Sequence, residues 1–298
     1  MNILIIGSRG FIGTHLTVHL RGIGHQVVEC DVHTEYGDGD YIQVSVVDAD
    51  FDHVFSLRSF DVCVNCSGAA SVADSFKNQV RDFQLNVGNV QRMLNSLLKN
   101  QPQCRFINMS SAAVYGNPDL LPLNEQMDTN PISPYGYHKK LSELILKQFS
   151  DLHKVETVSL RIFSAFGEGL KKQILWDLYH KMKESKWVEL FGTGRETRDF
   201  IHIQDLVTAI AVVVEQEKFD STVINIASGK ETSIEELSRL FGSALDWDGE
   251  ISFSNNERTG DPDNWCADIS KLSSLGFTPK ITLASGLKLY STWVKEKY

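Results

Sequence analysis

The feature that most limits how this chain can fold lies at its start. An apolar run, Ile3-Leu4-Ile5-Ile6, leads directly into Gly7-Ser8-Arg9-Gly10-Phe11-Ile12-Gly13, and an amphipathic stretch follows. Glycines at this spacing, between a strand and a helix, permit a tight turn and let the backbone come close to a pyrophosphate. A helix opening at Phe11 then presents its free N–H groups to the phosphates. A glycine pattern alone is weak. Its place after an N-terminal strand and before a helix makes it specific.

The second strand ends in Cys30-Asp31, about twenty residues beyond the glycines. A carboxylate there accepts hydrogen bonds from an adenosine ribose and repels a 2′-phosphate, so NAD is expected as cofactor. Arg9 argues the other way, because a guanidinium inside the loop can reach toward a 2′-phosphate. NADP is therefore the lesser alternative.

Further apolar runs at Val27–Val28, Val62–Val64, Phe106–Met109 and Val158–Ile162 alternate with helical patterns. This alternation predicts an α/β fold: a Rossmann-like, doubly wound parallel sheet with helices on both faces. Phe76, Val80, Phe83, Val87, Val90, Leu94 and Leu97 are spaced by fours and threes, which predicts one long helix with a continuous apolar stripe. That stripe suits packing on the sheet or against a second subunit. The second half is less regular, with an extended segment at 200–203, a helix from Leu206, a strand at 224–226 and a helix near 233–241. We expect a smaller α/β substrate domain interleaved with the first. Residues 1–165 plus about 200–227 would form the dinucleotide-binding domain, and 166–199 plus 228–298 would bind the substrate.

Composition excludes several classes. The formal net charge of −9 argues against non-specific binding to nucleic acid or to anionic membranes. No long apolar run suggests a membrane span, and the N-terminus lacks signal-peptide features, so a cytoplasmic location is expected. The five cysteines form no disulfide pattern; Cys63 and Cys66 lie in a run that reads as a buried strand, and no metal site is expected.

A second cluster carries chemistry. Ser133-Pro134-Tyr135-Gly136-Tyr137-His138-Lys139 opens a helix, and Tyr135 and Lys139, four apart, share one face. A phenol is too weak a base at neutral pH, and a nearby ammonium is expected to lower its pKa. Tyr135 can then take a proton from a substrate hydroxyl while hydride leaves the same carbon. Ser111 follows the apolar strand 106–109, at the strand end where open α/β sheets bind ligands, and can hydrogen-bond the reacting oxygen.

Together these motifs resemble the extended short-chain dehydrogenases/reductases, in the branch that modifies nucleotide sugars. The resemblance runs nearly the whole length: GSRGFIG at 7–13, Asp31, SSAAVYG at 110–116, SPYGYHK at 133–139, LRIFSAFGEG at 160–169, TRDFIHIQDL at 197–206, NIASGKETSIEEL at 225–237 and RTGDP at 258–262. It implies a Ser111–Tyr135–Lys139 catalytic site. It also implies cofactor contacts from Gly7, Arg9, Gly10, Phe11, Ile12, Gly13, Asp31, Ser67, Gly68 and Asn86, besides Tyr135 and Lys139. For the substrate it implies Ser111, Ser164, Arg198 and Arg258, with the two arginines on the diphosphate of a nucleoside-diphosphate sugar. A homodimer through the helices at 75–99 and 135–150 is the expectation for such a protein. Two departures stand out. Ser164 replaces an asparagine of many relatives, and the acidic residue near the adenine is replaced by Ser45 or shifted to Asp48.

The residues after Ser111 narrow the reaction. Dehydratases of this resemblance carry Asp-Glu there, whereas this chain has Ala112-Ala113. Elimination needs an acid and a base at adjacent carbons, and two alanines supply neither. A 4-epimerase working through a transient 4-keto sugar is the first expectation. A 4-ketoreductase or dehydrogenase using exchangeable NAD(P)H is the alternative. A non-catalytic dinucleotide sensor is disfavoured by the intact Ser111, Tyr135 and Lys139.

Overall fold

A computed structural model describes residues 1–35, 39–216, 219–256 and 258–298. Its strands are β1 (Asn2–Ile6), β2 (Gln26–Asp31), β3 (Tyr41–Gln43), β4 (Val62–Asn65), β5 (Arg105–Ser111), β6 (Thr157–Ile162), β7 (Ser164–Phe166), β8 (Trp187–Leu190), β9 (Thr197–His202), β10 (Thr222–Ile226), β11 (Glu231–Ser233) and β12 (Glu250–Phe253). Its α-helices are α1 (Phe11–Gly22), α2 (Phe51–Leu57), α3 (Val72–Lys77), α4 (Gln79–Phe83), α5 (Asn89–Asn100), α6 (Pro134–His153), α7 (Gln173–Glu184), α8 (Ile203–Val214), α9 (Ile234–Ala244), α10 (Ser270–Ser274) and α11 (Leu283–Lys297).

Seven parallel strands form the main sheet in the order β10-β6-β5-β4-β1-β2-β3. The chain winds outward in both directions from β1. The crevice between β1 and β4 is therefore the switch point at which such sheets bind ligands. Strand β1 shows why helices cover both faces. Its side chains alternate, with Ile3 and Ile5 packing beside Leu16 and Leu20 of α1 and Leu206 and Ile210 of α8. Leu4 and Ile6 pack on the other face with Phe55, Leu94, Leu97 and Phe149. Each fully buried side chain of this kind contributes about 1.5–3 kcal/mol.

A second layer holds the three-stranded sheet β11-β9-β7 and the pair β12-β8. Leu178 of α7, Phe241 of α9 and Tyr290 of α11 fill its core. Strand β9 belongs to this layer and α8 begins at Ile203, earlier than the apolar pattern suggested, with the His202 imidazole accepting from the Gln204 N–H as its cap. Among the described residues no helix is long and apolar enough to cross a membrane.

The expected long helix over residues 76–97 is not continuous. It breaks between α3 and α4 at Asn78, and residues Gln84–Gly88 form a π-helical turn before α5. The extra residue rotates the register. Val87, Val90, Leu94 and Leu97 face the core, while Val80 is 85% exposed and Phe76 and Phe83 are also exposed. The same turn brings the polar Asn86 to a buried place.

Candidate active site

The glycine loop closes the end of β1. The N–H groups of Gly7 and Ser8 donate to the Cys30 carbonyl of β2, and Gly10 N–H donates to Gly7. Gly7 has φ +81°, and a Cβ there would lie 2.6 Å from the Ser67 nitrogen. A Cβ on Gly13 would lie 2.2 Å from the Gly7 carbonyl oxygen. Both positions thus require glycine. Phe11 and Ile12 open α1, whose cap residue Gly10 offers no side-chain acceptor, so the helix start keeps free N–H groups. The Ser8 hydroxyl is buried with no partner among the described residues. Free donors, a cradle that a methyl group would fill and an orphaned hydroxyl together fit a dinucleotide pyrophosphate.

Asp31 ends β2, buried. Its carboxylate accepts from the Arg9 N–H at 2.7 Å and the Val32 N–H at 2.7 Å, with His33 Nδ1 at 3.1 Å. Arg9 does not project freely. Its guanidinium is held by Glu29 and Glu35 and lies 5.0 Å from the centre of the Tyr41 ring. The residue that favoured NADP is therefore already neutralised by two carboxylates. Ser45 caps the turn at 47–48 through its hydroxyl, and Asp48 pairs with Arg92.

Beyond β4, the Ser67 hydroxyl donates to Asn65 Oδ1 at 2.6 Å. Gly68, at φ +130°, packs against two of the expected site residues: a Cβ there would meet Asn86 Oδ1 at 2.6 Å and Lys139 Nζ at 3.6 Å. The loops after β1 and β4 thus lead directly to α6. Asn86 donates to Asp82 Oδ1 at 3.1 Å, while its own Oδ1 is buried without a partner among the described residues. An orphaned acceptor at this place fits a ligand hydroxyl.

Helix α6 starts where the sequence indicated. The Ser133 hydroxyl accepts from Gly136 N–H, and Pro134 occupies the first turn. Lys139 is buried, and its Nζ donates to the Met109 carbonyl at 2.8 Å. It lies 5.8 Å from the centre of the Tyr135 ring. Burial pushes the ammonium down to about 8, against the pull of Asp82, Glu143 and Cys66. Ser111 caps the short turn at 112–114, accepting from Ala113 N–H at 3.2 Å, and its hydroxyl also approaches Tyr135. The expected depression of the phenol is absent in this arrangement. Burial pushes Tyr135 up to about 12, the Ser111 hydrogen bond lowers it only in part, and Asp82 raises it further. The ammonium spends its hydrogen bond on Met109 and is too far away to reverse the sign.

On the substrate side, Ser164 lies on β7 opposite Phe200 of β9, partly exposed. Arg198 donates to the carbonyls of Thr197 and Asp263 and stacks 5.5 Å from the Trp265 ring centre. Burial lowers its pKa, and among the described residues no carboxylate lies within ion-pair distance. Arg258 is exposed and lies 4.3 Å from the Phe191 ring centre, likewise without an ion pair among the described residues. Two guanidinium groups without carboxylate partners suit an anionic ligand. A separate open cavity of about 550 Å³ between Leu121–Pro122, Ser228–Glu231 and Cys266–Ser273 contains none of these residues.

Sequence reasoning missed the polar support behind the site. Asn65 donates to Asn108 and Asn108 to Ser142 on α6, tying β4, β5 and α6 together. Glu143 pairs with buried Arg161 at 2.8 Å and accepts from the Ser110 hydroxyl. Asp82 accepts from His138 Nδ1 at 2.5 Å. The one readable signal was Asp82 four residues before Asn86, on the same helical face. Cys63 and Cys66 are free thiols, both raised by burial and so chemically quiet.

Comparison with known proteins gives consistent relatives. A UDP-glucose 4-epimerase of Halalkalibacterium halodurans is 26% identical, over 99% of this chain and 96% of that protein. UDP-glucuronic acid decarboxylase 1 of Xenopus tropicalis is 27% identical, over 96% of this chain and 70% of that protein. The crystal structure of UDP-glucuronic acid 4-epimerase from Bacillus cereus, in complex with UDP-glucuronic acid and NAD, superposes with a TM-score of 0.90 at 25% identity, covering 100% of both chains. The profile described as the NAD dependent epimerase/dehydratase family matches residues 3–227. With the glycine loop and the seven-stranded parallel sheet in place, the chain belongs to the NAD dependent epimerase/dehydratase family.

Proposed function

We propose that this protein is an NAD-dependent nucleotide-sugar 4-epimerase. One observation carries the reading. Tyr135 and Lys139 lie on one face of α6, with Lys139 Nζ beside Gly68 and 5.8 Å from the Tyr135 ring centre, and the Ala112 and Ala113 that follow Ser111 are buried and bring no second acid or base. Chemistry confined to one hydroxyl carbon is what such a site supports. Bound NAD would accept a hydride from that carbon and return it, and its cationic ring would favour the phenolate. Gly7, Gly10, Gly13 and the start of α1 would hold the pyrophosphate, with Asp31 toward the adenosine ribose. Asn86 and Lys139 would hold the nicotinamide half. Tyr135 would take the proton of the sugar hydroxyl and give it back to the transient 4-keto sugar, with Ser111 fixing that oxygen. Arg198 and Arg258 would hold the substrate diphosphate, and Ser164 would border the sugar. The proposed division into 1–165 plus about 200–227 and 166–199 plus 228–298 follows these roles except at Ser164 of β7 and the end of β9, which lie with the second layer.

A homodimer is part of this proposal. Tyr137, Leu141 and Leu144 form an exposed apolar stripe on α6 at helical spacing, beside exposed Val80 and Phe83 of α4. Light scattering should give twice the chain mass.

The decisive test is to denature the purified protein and identify by mass spectrometry what it releases, then assay UDP-sugars. Retained NAD with interconversion of 4-epimers is expected, and Tyr135→Phe should lower kcat by about 10²–10⁴. An empty protein that consumes added NADPH with 4-keto sugar nucleotides would replace this reading with a reductase. Arg9, held by Glu29 and Glu35, no longer favours that alternative.

A further inference from the structure

Asp82 and His138 form a carboxylate–imidazole pair beside Asn86, whose other amide end meets Gly68 next to Lys139 Nζ. Asp82 is 3% exposed at the end of α4. Its Oδ1 accepts from His138 Nδ1 at 2.5 Å and from Asn86 Nδ2 at 3.1 Å, while its Oδ2 is buried without a partner among the described residues. The Phe83 ring closes over His138 edge-on at 5.4 Å. An ionised carboxylate only accepts hydrogen bonds, so it fixes which end of the Asn86 amide faces it. The orphaned Asn86 Oδ1 is thereby turned toward Gly68, the glycine whose added Cβ would also meet Lys139 Nζ.

We infer that Asp82, braced by His138, is a positioning residue of the active site: it orients Asn86 and provides the counter-charge behind the Lys139 ammonium. The inference rests on the reading of Tyr135 and Lys139 as the reacting pair. The groups facing Lys139 can be separated. Glu143 of α6 is tied to Arg161 of β6, the Cys66 thiol after β4 is raised to about 12, and Tyr135 is a neutral phenol below about 12. His138, the neighbour of Lys139 on α6, is turned to Asp82. Asp82 is the first of the groups that pull the lysine back up.

Asp82→Asn is close to isosteric. Its amide oxygen can keep both hydrogen bonds, and its NH₂ takes the place of the partnerless Oδ2. Removing the charge should lower the Lys139 pKa by up to about one unit. The alkaline limb of the kcat profile should move down by that amount with KM unchanged, and Asp82→Glu should restore it. A readout free of activity is the pH at which stability toward urea begins to rise as Lys139 deprotonates in the folded state; it should move down equally. If Asp82→Asn folds poorly, Asp82→Ser, which removes the same charge with a smaller polar side chain, should shift both readouts in the same direction. A fall in kcat uniform across pH, or both limbs unmoved, would overturn the inference. If the wild type converts no sugar nucleotide, the functional reading fails alone, and the urea onset still decides the role of Asp82.

Discussion

Lys139 is held in a place that costs the fold stability, and that cost can be measured. Burial brings its pKa from 10.5 to about 8. A depression of that size corresponds to about 3 kcal/mol. The sign follows from proton counting. Below about pH 8 both the folded and unfolded states carry the proton, and the folded state bears the full penalty of a buried charge. As pH rises toward 10.5 the folded state is neutral while the unfolded state is still charged, so stability increases across that window. Lys139→Met removes the penalty but leaves the Met109 carbonyl without its donor, which costs about 1–2 kcal/mol. The net effect at neutral pH should be a gain of roughly 1–2 kcal/mol, or a few degrees in Tm, with activity abolished. The assay is urea unfolding of wild type and variant, both stripped of nucleotide because a bound ligand adds its own stabilisation. At neutral pH the variant should be the more stable. Above about pH 10 the wild type should overtake it, since the penalty is gone and the Met109 hydrogen bond remains. A variant less stable at neutral pH, or a difference that does not change with pH, would refute the argument.

Other expectations are more direct. Gly13→Ala places a Cβ 2.2 Å from the Gly7 carbonyl oxygen, so retained dinucleotide, quantified after denaturation, should fall at least about tenfold. Arg9→Ala should leave NAD favoured over NADP in equilibrium binding, because Asp31 stays in place; a reversal would show that Arg9 sets the choice. Glu143→Gln strands Arg161, which is 4% exposed, and should cost about 3–5 kcal/mol in chemical denaturation. Arg198→Ala should raise KM for a nucleoside-diphosphate sugar about 10- to 100-fold with little change in kcat.

What was legible in the sequence was what depends on short stretches of backbone. A Cβ on Gly13 would meet Gly7 and Ser8 of its own loop, so seven residues suffice to require a glycine there. Ser133, Pro134, Tyr135 and Lys139 lie on one helix start, where spacing alone decides which side chains share a face. What was illegible depends on register and on distant partners. The run from Phe76 to Leu97 keeps an apolar period across Asn78 and the π-helical turn, because periodicity records side-chain spacing and not the hydrogen-bond step beneath it. One added residue leaves Val80 in solvent and carries Asn86 inward. The role of Arg9 turned on Glu29 and Glu35, which come from β2 and the segment after it. The Tyr135 phenol failed for a quantitative reason. Its pKa is a contest between desolvation, which acts on every buried phenol, and a charge whose effect falls with distance. With Nζ 5.8 Å from the ring centre and bonded to Met109, desolvation wins. A tyrosine base in such a site is therefore held protonated by the protein alone. Under the proposed function, the positive ring of bound NAD would be the further charge that lowers its pKa.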